Sequence, residues 1–274
     1  MRGRVMRPYS FLGKRETAIF TSMGRILAIA NQKGGVGKTT TAVNLSAALA
    51  LAGQKVLLID LDPQGNATSG LGINKNQLTH TLYDVLTNEV PLSEAVQGTA
   101  VADLFVVPSN RQLVGAEVEF VSIERREYRL KEALGTAADA YTFIIIDCPP
   151  SLSLLTVNGL VAANGVLVTL QCEYYALEGL SELLQTIKLV RDSLNNGLRV
   201  EGVLLTMYAH TNLSKQVVDD VREHLGPKVF TTVIPRNVTL SEAPSFGKPA
   251  VLYDGKSAGA LAYEALAKEV IARV

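Results

Sequence analysis

Asn31-Gln32-Lys33-Gly34-Gly35-Val36-Gly37-Lys38-Thr39-Thr40 is the stretch that decides how this chain folds. It follows a short apolar run, Arg25–Ala30 (RILAIA). It precedes an Ala/Leu-rich stretch, Thr40–Ala52, that ends at Gly53, a residue suited to the left-handed turn after a helix. Strand, glycine-rich loop and helix N-terminus in that order make an anion site. Backbone N–H groups point inward, and the helix dipole is positive there. Glycine lets the backbone close around phosphates without a Cβ in the way. Lys38 would reach the β- and γ-phosphates of a nucleotide, and Thr39 would place its hydroxyl on Mg²⁺. The general pattern G-x-x-x-x-G-K-[ST] fails at its first position, where Gln32 stands. The variant K-G-G-x-G-K-[ST] matches throughout.

Further apolar runs lie along the chain at Lys55–Asp60, Leu104–Val107, Phe143–Asp147, Gly165–Leu170, Val203–Thr206 and Val229–Ile234. Most are continuously apolar rather than alternating, as in strands buried on both faces of a parallel sheet. Helical spacing fills Leu177–Leu194, Leu213–Leu225 and about Ser257–Arg273. Alternating strand and helix predict an α/β fold: a P-loop NTPase-like, mainly parallel twisted sheet with helices on both faces. At roughly 100–200 residues per domain, 274 residues allow one or two domains. No repeat, linker or break in composition follows Met23, so residues 23–274 read as one domain.

Composition excludes several classes. Lys+Arg and Asp+Glu are both 26, so a bulk-basic nucleic-acid binder is ruled out and only a local patch remains. No apolar run approaches the ~18 residues of a membrane span. Aromatics are 6% and Trp is absent, which argues against a single-strand stacking platform. Cys148 and Cys172 make no disulfide framework and read as packed residues of an intracellular chain. His80, His210 and His224 have no metal-ligand spacing. Residues 1–22 form a basic leader with Arg2, Arg4, Arg7, Lys14 and Arg15 against Glu16. It reads as a disordered arm or a start-site artefact. Without it, 21 cations face 25 anions.

Two acidic segments belong with the phosphate loop. Asp60-Leu61-Asp62-Pro63-Gln64-Gly65-Asn66 follows the second apolar run. Acids at a strand's C-terminal end sit where open α/β sheets bind ligands. If the strand persists, Asp60 and Asp62 point to the same side. One acid orients the attacking water and the other braces the loop or the outer shell of the metal, which suffices for phosphoryl transfer. Phe143-Ile144-Ile145-Ile146-Asp147 is a strand ending in an acid, and Asp147 would hold Mg²⁺ directly or through water.

These motifs resemble the deviant Walker A family of ParA/Soj partition ATPases, MinD, the nitrogenase iron protein and ArsA relatives. A second loop lysine, Lys33, marks that family, in which it reaches the partner subunit's phosphates. An iron–sulfur role is set aside, because neither cysteine lies in a segment like the iron protein's ligand sequences. Asn31–Asn44, Asp60–Gly70, Asp147–Leu152, Gln171–Leu180, Thr211–Val217 and Ile234–Ser245 are similar to the chromosomal ParA/Soj group in particular.

The resemblance implies an ATP- and Mg²⁺-dependent hydrolase. Lys33, Lys38 and Asp62 would be catalytic. Gly34, Gly35, Val36, Gly37, Thr39, Thr40, Pro235 and Asn237 would hold nucleotide, and Thr39 and Asp147 the metal. It also implies a homodimer when ATP is bound, non-specific binding to double-stranded DNA, and a ParB/Spo0J-type partner that stimulates hydrolysis and release. The location implied is cytoplasmic and nucleoid-associated, without membrane insertion. Matching candidates for DNA contact are Lys215, Arg222, Arg236, Lys248 and Lys256. Thr239 and Ala258 stand where basic residues are common in the family. The alternative is a MinD-like or polar-localisation regulator acting on protein or membrane partners.

Overall fold

A computed structural model describes residues 24–173 and 176–273; the basic leader expected at 1–22 lies outside them. Eight strands form one sheet: β1 (Arg25–Ala30), β2 (Val56–Asp60), β3 (Gln97–Gly98), β4 (Leu104–Val107), β5 (Phe143–Asp147), β6 (Gly165–Gln171), β7 (Arg199–Tyr208) and β8 (Val229–Pro235). The order is β3-β4-β2-β5-β1-β6-β7-β8, with every pairing parallel except β3 against β4.

The longer helices are α1 (Lys38–Leu51), α7 (Leu154–Ala162), α8 (Ala176–Ser193), α9 (Asn212–Leu225) and α12 (Ala258–Ala272). Shorter turns of helix are α2 (Asn66–Gly70), α3 (Leu82–Leu86), α4 (Leu92–Ala95), α5 (Leu113–Glu119), α6 (Arg129–Leu134), α10 (Val238–Glu242) and α11 (Ala250–Tyr253).

The strands are apolar throughout because both faces of the sheet are covered. Along β1, Ile26, Ala28 and Ala30 enter the core under α3 and α5 to α9, while Leu27 and Ile29 enter the core under α1 and α12. Ile144/Ile146 and Phe143/Ile145 divide the same way along β5. This is the period-2 alternation of a strand with two buried sides. α1 ends as expected. Gly53 follows its last turn at φ +84 and donates its N–H to the Ala50 carbonyl.

β7 is longer than the run Val203–Thr206 predicted, because Arg199–Gly202 pairs with the start of β6 despite its polar side chains. The two-residue antiparallel β3 and the helices between residues 66 and 162 had no clear periodicity to announce them. The decisive arrangement is at the middle of the sheet. β1 lies between β5 and β6, and β5 lies between β1 and β2. The C-terminal ends of β1, β2 and β5 therefore meet, with Ile29 and Asp60 both in register with Asp147.

Candidate functional site: a phosphate loop ringed by acids

The loop between β1 and α1 is held from both sides. The Asn31 side chain donates to the Thr169 carbonyl at 2.6 Å and accepts from the Lys33 N–H at 2.9 Å. The Thr206 hydroxyl, on β7, donates to the Val36 carbonyl at 3.0 Å. Gly35 and Gly37 take φ of +74 and +87, a region closed to most side chains, which lets the loop curl tightly into the start of α1. The Lys38 ammonium donates to the Lys33 carbonyl at 2.7 Å, closing the loop on itself. Lys38 is buried; that burial lowers its pKa against the pull of Asp147, Cys148 and Asp62. Lys33 and Gly34 are exposed, on the outer rim.

Asp60, Asp62 and Asp147 are all buried beside the loop. Asp60 is fully engaged. One oxygen accepts from both the N–H and the hydroxyl of Thr68 at 2.7 Å, and the other accepts from the Asp62 N–H at 3.3 Å. Burial still pushes its pKa up to about 6, against those donors from Thr68. Asp62 reaches the site by a different route from the one expected. β2 stops at Asp60, and the chain then turns, with the Gly65 N–H bonding the Asp62 carbonyl at 2.9 Å. The two acids therefore do not share a strand face. The turn, rather than the pleat, brings Asp62 back beside Asp60, where it accepts from the Gln64 N–H at 2.9 Å.

Asp147 is the group left over. Both carboxylate oxygens are buried and neither has a donor at ordinary hydrogen-bond distance, though the Thr39 hydroxyl lies near enough to act on them. Burial, and then the charge of Asp60, raise its pKa well above the usual range, while the Thr39 hydroxyl and Lys38 pull the other way. An unpartnered buried carboxylate is costly, and a cation is the partner that relieves it. Thr39 and Asp147 are the pair placed to hold one. Among the described residues no cluster of three or more His, Cys, Asp or Glu forms a protein cage. A cation here would draw most of its ligands from water and phosphate oxygens, as Mg²⁺ does.

A groove of about 400 Å³ opens beside the loop, between β7 and the segment after β8. Gly37, Thr40, Thr206, Pro235, Asn237 and Tyr263 line it. The Asn237 side-chain amide oxygen is buried with no donor. Pro235 and Asn237 thus share one groove with Gly37 and Thr40 of the phosphate loop. Met207, also on the wall, holds φ of +52, a strained conformation for that residue and of the kind that gathers at functional sites. Sequence reading missed Thr206, Met207 and Tyr263. Thr206 ends an apolar run, Met207 follows it and Tyr263 sits on a helix, with nothing in their neighbours to mark them.

Of the basic candidates, Lys215 and Arg222 lie on α9, Arg236 follows β8, Lys248 precedes α11 and Lys256 precedes α12; all five are exposed. Arg222 is partly occupied, donating to the Thr231 carbonyl at 3.2 Å. Cys148 and Cys172 are buried and unbridged. Burial pushes the Cys172 thiol up to about 11, so it stays protonated.

A mainly parallel sheet with a glycine loop between a central strand and the following helix, and acids at the ends of the next two strands to one side, β5 and β2, defines a P-loop nucleotide-binding protein. A family model described as an AAA domain matches residues 24–200. The sporulation initiation inhibitor protein Soj of Bacillus subtilis is 57% identical over 251 residues, 91% of this chain and 99% of its own length. The chromosome partitioning protein ParA of Caulobacter vibrioides is 58% identical over 252 residues, covering 91% of this chain and 94% of that one. The structure of cobyrinic acid a,c-diamide synthase from Mycobacterium smegmatis, with bound ADP and magnesium, superposes with a TM-score of 0.80 at 40% identity, covering 91% of this chain and 94% of that chain. The chain belongs to the ParA/Soj family of chromosome-partitioning ATPases.

Proposed function

We infer that the chain is an ATP-hydrolysing switch for DNA partition. With ATP and Mg²⁺ bound, two copies close face to face. The closed pair binds duplex DNA regardless of sequence, which places it on the nucleoid. A ParB/Spo0J-type partner then stimulates hydrolysis and release. The observation that carries the nucleotide part of this reading is the buried, donor-free carboxylate of Asp147 beside Thr39 at the mouth of the phosphate loop.

The roles proposed combine the family resemblance with the positions described above. The N–H groups of Gly34–Thr40 and the Lys38 ammonium receive the phosphates. Pro235 and Asn237 contact the base. Thr39 and Asp147 would hold Mg²⁺, which when bound would supply positive charge to offset that of the phosphates. Asp62 orients the attacking water. Asp60 has given its oxygens to Thr68 and Asp62, so it acts as the brace that fixes the Asp62 turn. Lys33 on the open rim reaches across to the second copy's phosphates, and Gly34 leaves room for that copy's backbone.

The deciding experiment is binding to a random-sequence duplex with ATP, with ADP and without nucleotide, at low and physiological salt. Binding only with ATP, weakening steeply with salt, supports the switch and a phosphate-contact patch. Absence of binding in every state overturns the DNA reading and leaves an ATP-dependent dimer that acts on protein or membrane partners.

A further inference from the structure

Lys248 is seated where two separate struts from the nucleotide site meet. The first strut starts at Asp60, which grips Thr68 of α2 through two hydrogen bonds. α2 ends in a turn at Gly72, whose N–H bonds the Ser69 carbonyl at 3.0 Å. Gly72 lies back to back with Gly247: a Cβ on Gly72 would stand 2.9 Å from the Gly247 carbonyl oxygen, and one on Gly247 would stand 2.6 Å from the Gly72 Cα. Both take positive φ, +82 and +62. The second strut is Asn44 of α1. Its amide donates to the Thr40 carbonyl at the loop's end at 2.8 Å, and its side-chain oxygen accepts from the Ala250 N–H at 2.7 Å. One strut therefore lands on Gly247 and the other on Ala250. The exposed Lys248 lies between them, and its own N–H is tied back to the Ala243 carbonyl.

We propose that the segment from Gly247 to Ala250 is the relay by which nucleotide occupancy sets the position of Lys248, with the Gly72–Gly247 contact and the Asn44 bridge as its two inputs. The inference rests on the nucleotide site proposed above and adds its regulation. Rigid packed contacts and hydrogen bonds of this kind pass displacement on rather than absorbing it, and both struts start beside the phosphate loop, at Asp60 and at Thr40. Coupling through such contacts commonly amounts to about 5–150-fold.

Hydrogen exchange of the full chain tests it, reading backbone amides 243–253 with and without ATP and Mg²⁺. In the wild type, nucleotide is expected to slow exchange there about tenfold. In Gly72→Ala and in Asn44→Asp, which keeps the acceptor for Ala250 but loses the donor to Thr40, the response should fall below about twofold, with nucleotide affinity within about threefold of wild type. Gly53→Ala is the control for backbone strain: Gly53 has φ of +84 but open space around its Cβ direction, so that variant should respond like the wild type. If Gly72→Ala does not fold, Asn44→Asp carries the test. An unchanged segment in the wild type, or a full response in both strut variants, overturns the proposal. DNA binding measured on the same samples separates the two readings. A nucleotide-dependent segment on a protein that never binds DNA leaves the relay standing and removes the DNA function.

Discussion

At the scale of single residues, the site separates acids by what their oxygens already do. Asp60 is spent on Thr68 and Asp62, Asp147 is free of donors, and Asp62 keeps one oxygen outside the Gln64 bond. Asp62→Ala should keep the ATP-loaded pair intact and lower turnover by about a hundredfold or more, the usual worth of a positioned base. Phosphate release and light scattering read the two effects, and wild-type turnover in the variant would move the water-orienting role elsewhere. Gly34 gives a sharper test of dimerisation. A Cβ there meets nothing within 4 Å of its own chain, so Gly34→Val should bind ATP normally yet run as a monomer. A dimer of that variant in the presence of ATP would place the second copy elsewhere. The loop and the acids at positions 60, 62 and 147 could be read from sequence because each sits in a dense local motif. Thr206 could not, since its hydrogen bond to Val36 spans 170 residues and one threonine at a strand end looks like any other.

At the scale of elements, two ion pairs tie helix α12 and the first strand into the sheet. Glu269 accepts from the N–H groups of Thr231 and Thr232 at 2.8 and 3.0 Å and pairs with Arg273 at 2.9 Å. Burial raises its pKa, but these donors outweigh burial and hold it below the usual glutamate value. A carboxyl with a depressed folded-state pKa adds stability above its unfolded pKa, and loses it as pH falls through the folded value. Glu269→Gln should therefore cost about 1 kcal/mol at neutral pH. The gap between variant and wild type should close as pH drops below the carboxylate range, which denaturant melts at pH 7 and pH 3 would show. Arg25 and Glu201 form a buried pair at the opposite end of the strands, with Arg25 also donating to the Val270 carbonyl at 3.4 Å. Glu201 also has the exposed Arg199 at 3.7 Å, so Arg25→Ala leaves it one weaker partner and should destabilise by about 1.5–3 kcal/mol. Arg25→Met with Glu201→Leu should recover most of it. Four of the five long helices, all but α7, and seven strands were readable from continuous apolar runs and 3.6-residue spacing. The short helices between 66 and 140 were not, because four to seven residues carry less than two periods. Nor was the turn that carries Asp62, because a chain leaving a strand through Asp-Pro-Gln-Gly can return in several directions.

At the scale of the whole molecule, charge sets how DNA would be held. The chain beyond the leader has fewer cations than anions, so attraction has to come from a patch and should vanish quickly with salt. If Lys248 and Lys256 each meet a phosphate in both copies of the pair, changing either to Ala should lower the slope of log affinity against log salt by about 2, without altering sequence preference. Equal slopes for wild type and both variants would place the contacts elsewhere. The family, the α/β class and the phosphate loop were legible in sequence. The strand order was not, because parallel neighbours are set by crossovers that leave no local mark. That order has a consequence for how the chain is made. β1 and β2 emerge first from the ribosome, yet they never touch, because β5 lies between them and β6 closes the far side of β1. Until residue 143 has been synthesised, β1 has no partner on either flank, and the loop that follows it has no floor. About half of the polypeptide must wait with apolar strand edges open, the state in which nascent chains aggregate or are held by chaperones. Neither the nucleotide site nor anything it controls can exist before the second half of translation.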